Sequence, residues 1–172
     1  MAITRLGGAN AISGTIPQGN IANASLGAVT ALPAAIATGK VLQVVNAKLE
    51  TENNTTSTSF VATSLTATIT PSSSSNKVLI TLGGPIYQNT GDKYYYGAIY
   101  RGGSNVSNGP LCVARNNGSS IGTNLSAAFL DSPATTSATT YTYYHKTDSG
   151  GTGYVSINDW GTAITLMEIE AW

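Results

Sequence analysis

Charge is scarce in this sequence. Lys and Arg number 8, Asp and Glu number 8, and together they make up 9% of 172 residues with no net charge. An ordinary soluble domain carries roughly 25%. Nothing here supplies the basic footprint that neutralises phosphates, so no nucleic-acid partner is expected. Hydrophobic residues reach 41%, which also argues against wholesale disorder. Cysteine occurs once, as Cys112, so no internal disulfide can form and stability must come from packing or from association. Histidine also occurs once, as His145; one His with one Cys cannot build a zinc site. The Asp148 and Asn158-Asp159 loops lack the carboxylate density of a calcium site. No metal and no cofactor is therefore expected. The chain also lacks a run of about 20 apolar residues; its best candidate, 24–37, is diluted by Ser25, Gly27, Thr30 and Pro33. No membrane insertion is expected, and the opening Met1-Ala2-Ile3-Thr4-Arg5 reads poorly as a secretory signal.

In place of charge the chain carries Ser, Thr, Asn and Gly, and it divides near Gly39-Lys40. Residues 6–39 hold no charge, and no aromatic residue precedes Phe60. In residues 1–39, Ile12, Ile16, Ile21 and Leu26 recur at steps of four to five, which fits neither helix nor strand period. Such a segment cannot offset its ordering entropy of about 1–2 kcal/mol per residue alone. It reads as an extended N-terminal arm that docks in assembly, with those four residues as its contacts.

Residues 40–172 read as β throughout. Strands are expected at 41–49, 59–62, 65–70, 78–82, 93–101, 111–114, 126–130, 139–146, 154–157 and 163–172. Turns are expected at Pro71 with Ser72 to Ser75, at Gly83-Gly84-Pro85, at Thr90-Gly91-Asp92, at Gly102-Gly103, at Asn116-Asn117-Gly118 and at Ser149-Gly150-Gly151. Short strands at this spacing indicate an antiparallel sandwich or barrel. By period two, Tyr94, Tyr96 and Tyr100 share a face; their packing is expected in the core or at a subunit contact. In the last strand Ile164 and Leu166 lie on one face, Met167 and Ile169 on the other. Either both faces are covered, making Met167 and Ile169 a subunit contact, or a bulge swaps the pattern midway.

Three stretches carry a resemblance. They are Gly39-Lys40-Val41-Leu42-Gln43-Val44-Val45, the block Leu65-Thr66-Ala67-Thr68-Ile69-Thr70-Pro71-Ser72-Ser73-Ser74-Ser75-Asn76-Lys77-Val78-Leu79-Ile80, and the ending Thr162-Ala163-Ile164-Thr165-Leu166-Met167-Glu168-Ile169. Together with Ser57-Thr58-Ser59-Phe60, they resemble the C-terminal domain of tailed-phage virion fibre proteins over about residues 39–172. The resemblance implies an all-β, antiparallel jelly-roll-like sandwich, assembled as a homotrimer like the heads of complement- and tumour-necrosis-factor-like proteins. It implies a virion structural protein of fibre type, with the arm docking to other virion proteins and the head attaching to a host surface. A capsid decoration or tail accessory protein with a purely assembly role is the alternative. A polysaccharide depolymerase and a cellular lectin-like module are further readings.

The residues give little to an enzyme. No Gly-x-Ser-x-Gly elbow and no phosphate loop is present. Glu168 and Glu170 share a strand face at roughly 6.5–7 Å, near the spacing of an inverting glycosidase pair. They stand among apolar residues with no cleft loop beside them, and pairing with Arg101, Arg115 or a neighbouring subunit is the expected role. No catalytic residue is assigned. His145, alternating with Tyr141 and Tyr143, reads as structural. A glycan or receptor contact is expected from Tyr87, Asn89, Asp92, Asn117, Asp159 and Trp160, which supply rings, amides and carboxylates from loops.

Overall fold

The computed structural model describes residues 40–115, 117–157 and 160–171. The N-terminal arm with Ile12, Ile16, Ile21 and Leu26 lies outside the described residues, as does Asp159.

Eleven strands follow in order: β1 (Val41–Leu49), β2 (Asn53–Thr55), β3 (Val61–Ile69), β4 (Lys77–Gln88), β5 (Tyr94–Arg101), β6 (Ser104–Asn105), β7 (Cys112–Arg115), β8 (Ile121–Asp131), β9 (Thr139–Thr147), β10 (Gly153–Val155) and β11 (Thr162–Ile169). No helix occurs among the described residues. The strands form two antiparallel sheets. In the first, β4 pairs with β8 along one side; its other side pairs with β11 and then β10, beyond which lie β1 and β2. The second runs β3, β9, β5, with β7 and β6 sharing the far side of β5. Four pairs are nested in sequence: β1 with β11, β3 with β9, β4 with β8, β5 with β7.

Alternation puts one face of each sheet inside. Leu65, Ala67 and Ile69 of β3, Val78, Ile80 and Leu82 of β4, Tyr95 and Ile99 of β5, Tyr141 and Tyr143 of β9, and Ile164 and Leu166 of β11 form one buried cluster. Each fully buried Leu or Ile stabilises the fold by about 1.5–3 kcal/mol. Tyr94, Tyr96 and Tyr100 share the outer face, half-buried rather than in the core. There Tyr94 stacks on Tyr96, Tyr100 stacks on Tyr144, and Lys146 lies over the rings of Tyr96 and Phe60.

Two expectations need correction. Gly83-Gly84-Pro85 is not a turn: β4 runs straight through it. These residues mark where the partner of β4 changes, from β11 up to Gly83 to β10 from Ile86. Gly84 holds φ at 145°, and a Cβ there would stand 2.5 Å from the Thr162 Cα. The Pro85 carbonyl accepts from the Ser156 N–H and the Thr162 hydroxyl, each at 3.2 Å, and so closes the seam. Likewise 59–62 and 65–70 are not separate strands. β3 spans both, with a register shift between Ala62 and Thr66. The Thr63 hydroxyl fills the irregularity: it donates to the Tyr143 carbonyl at 2.7 Å and accepts from the Leu65 N–H at 3.1 Å.

Candidate functional site

The outer face of the first sheet changes character along its strands. At one end Val44, Met167, Leu79 and Leu130 are direct cross-strand partners, in that order, across β1, β11, β4 and β8. At the usual strand spacing the row runs about 15 Å. Val44 is 58% exposed and Leu130 52%, while Met167 and Leu79 between them are half-buried. Ile169 lies beside the row, paired with the exposed Val41. One row further on, the same face carries Asn46, Thr165, Thr81 and Ala128, and the Asn46 amide donates to the Thr165 hydroxyl at 2.8 Å. The apolar surface is therefore a confined stripe. β11 holds continuous register with β4 from Ala163 to Ile169, so no bulge swaps its faces. Met167 and Ile169 point outward, which is the first of the two readings of their spacing and leaves out the bulge. Val44, Leu79 and Leu130 join them only through register, which no single strand reveals.

At the other end of this face lies a cleft of about 730 Å³. Tyr87 of β4 and Tyr154 of β10 are cross-strand partners, with ring centroids 5.6 Å apart and planes tilted by 56°. Gly122 of β8 stands opposite Tyr87 and leaves the ring uncovered. Thr123, Asn124 and Glu52 add a hydroxyl, an amide and a carboxylate to the lining. Trp160 completes it and is 73% exposed. Its backbone N–H donates to the Ile157 carbonyl at 2.9 Å, which closes the turn that presents it. Gly161 lets that turn pass against the Lys48 side chain and the Leu49 carbonyl, where a Cβ would collide.

Of the expected glycan contacts, Tyr87 and Trp160 line this cleft. Asn89 borders it, its amide donating to the Tyr154 hydroxyl at 3.2 Å. Asp92 does not join them; its carboxylate stands 4.0 Å from Arg115. Asn117 is exposed on a separate loop. Glu52, Thr123, Asn124 and Tyr154 escaped the sequence reading. Tyr154, standing opposite Tyr87, carries an aromatic signal that could have marked it.

Glu168 faces inward and is fully buried, with neither Arg101 nor Arg115 beside it. Arg101 instead pairs with Asp131 at 2.6 Å, and the Tyr141 hydroxyl donates to the same Asp131 oxygen at 2.7 Å. Glu168 accepts from the Gln43 amide at 2.5 Å, the Ser72 N–H at 2.7 Å, the Ser72 hydroxyl at 2.8 Å and the Asn76 amide at 2.6 Å. Burial pushes its pKa up, but the hydrogen bonds from Asn76, Gln43 and Ser72 outweigh it and hold the pKa down at about 2. The carboxylate ties the fold together: Oε1 accepts three of these hydrogen bonds and Oε2 the one from Gln43. His145 is equally enclosed, 1% exposed, with Nδ1 3.3 Å from the Tyr95 hydroxyl. Burial pushes its pKa down to about 4. Among the described residues, no group of three or more His, Cys, Asp or Glu side chains could hold a metal ion.

In comparisons with known proteins, no family model and no curated protein matches this chain.

Proposed function

We propose that this chain is a bacteriophage virion structural protein of fibre type, with a homotrimeric jelly-roll head that contacts the host surface. The observation that carries the reading is the apolar row Val44, Met167, Leu79 and Leu130, laid across four strands and exposed at both ends. A monomer in water gains nothing from such a stripe, whereas a second and third copy would bury it. The three-fold number comes from the resemblance to phage fibre heads. The nested strand pairs support the jelly roll, since folding a long hairpin over itself produces that order. The three stretches that carry the resemblance also meet in space: Gln43, Ser72 with Asn76, and Glu168 form one hydrogen-bonded clasp. Those residues therefore bear on the fold, and the function is assembly and recognition. The cleft at Tyr87, Tyr154 and Trp160 is the surface for host glycan, at the opposite end of the sheet face from the subunit contact. Immunogold electron microscopy of intact phage particles, with antibody against residues 40–172, tests the reading. Label on projecting fibres supports it. Label spread over the capsid faces would favour a decoration protein, and particles without label would overturn a virion role.

A further inference from the structure

We infer that the cleft selects uncharged oligosaccharides and that Glu52 is the residue that turns acidic ones away. The inference rests on reading the cleft as the host-surface contact and adds the class of ligand. A sugar ring offers an apolar C–H face and a rim of hydroxyls. The tilted Tyr87–Tyr154 pair and the exposed Trp160 supply ring faces on the walls. Asn124 can both donate and accept, the Thr123 hydroxyl does the same, and Glu52 accepts from sugar hydroxyls. The volume, about 730 Å³, suits a short oligosaccharide.

Charge then decides the class. Lys, Arg and His are absent from the described residues that line the cleft. The nearby Lys48 is engaged with Glu50 at 3.1 Å, and Arg115 leans toward Asp92. Glu52 itself takes part in no ion pair or hydrogen bond among the described residues. A uronate, sialate or sulfate entering here would meet a free carboxylate and no cation, and like charges within one site repel. A neutral hexose or N-acetylhexosamine meets no opposing charge, and its hydroxyls find both donors and acceptors.

A glycan array printed with neutral and acidic oligosaccharides, probed with the full chain, tests this. The wild type should bind neutral glycans at least about tenfold better than matched uronates. Glu52→Gln should keep neutral binding and narrow that gap. Trp160→Ala and Tyr87→Ala, both substitutions at the surface of the cleft, should lower neutral binding by about tenfold or more. Equal binding of acidic and neutral glycans by the wild type overturns the charge selection and leaves glycan attachment standing. Neutral binding untouched by Trp160→Ala and Tyr87→Ala overturns the cleft as the site. No binding to either class overturns the glycan reading itself.

Discussion

Glu168 gathers donors from two distant parts of the chain, Gln43 and the loop from Ser72 to Asn76, and that makes its removal costly. Glu168→Ala would leave the amides of Gln43 and Asn76 and the Ser72 N–H without this acceptor, in a buried place for Asn76 and a part-buried one for the other two. A buried orphaned donor costs about 1–3 kcal/mol and a part-buried one less, so chemical denaturation should report a loss of about 2 kcal/mol or more. A loss under about 1 kcal/mol would refute the clasp. His145 gives a pH signature. Its folded pKa of about 4 lies below the 6.5 of the unfolded chain. The unfolded state therefore binds the proton first, and stability is complete above pH 6.5 and falls as pH drops toward 4, by about 3 kcal/mol in all. Below pH 4.5 Glu168 adds to the fall, since its folded pKa of about 2 is also depressed. Urea titrations across pH 7.5 to 4 should show His145→Gln losing the upper part of this decline. A decline as steep in the variant as in the wild type would contradict it. Sequence reasoning placed Glu168 and His145 on the right strands. It could not find the partners of Glu168, because Gln43, Ser72 and Asn76 reach it only through folding.

β4 shows what local chemistry can and cannot reveal about an element. Val78, Ile80 and Leu82 announce a strand by alternation, yet Gly83-Gly84-Pro85 reads as its end. Pairing with β8 on one side, from Val78 to Gln88, carries the strand past it. The same limit hid one bulged strand over Val61–Ile69 and the extension of β8 back to Ile121, where Gly122, Thr123 and Asn124 give no apolar signal. The two neighbouring glycines of β4 separate conformation from composition. Gly84→Ala must place a Cβ against the Thr162 backbone at a φ that L residues rarely hold, and should cost about 2–4 kcal/mol. Gly83→Ala meets no atom within 4 Å and should stay within about 0.5 kcal/mol. Thermal melts of the two variants provide the comparison; equal melting temperatures would refute the seam.

At the scale of the molecule, the scarcity of charge acquires a place. The outer face of the first sheet carries few charges: Lys77, at the register position opposite Ile169, and Lys48, opposite Ala163 and ion-paired with Glu50. Beyond the row its partners are Asn, Thr and Ala, and the aromatic cleft lies further on. A sparsely charged face of this kind lets copies approach with little self-repulsion. Strand content and the outward placement of Met167 and Ile169 were legible in the sequence. The stripe was not, because it runs across strands and belongs to their register. Its consequence is direct. Light scattering coupled to size-exclusion chromatography, on the wild type and on Leu130→Asp and Val44→Asp, measures it. Both substitutions fall at exposed positions, so the fold should survive while association fails. The wild type should run at three chain masses and each variant as a folded monomer. A wild type that stays monomeric at micromolar concentration, or variants that remain trimeric, would contradict it.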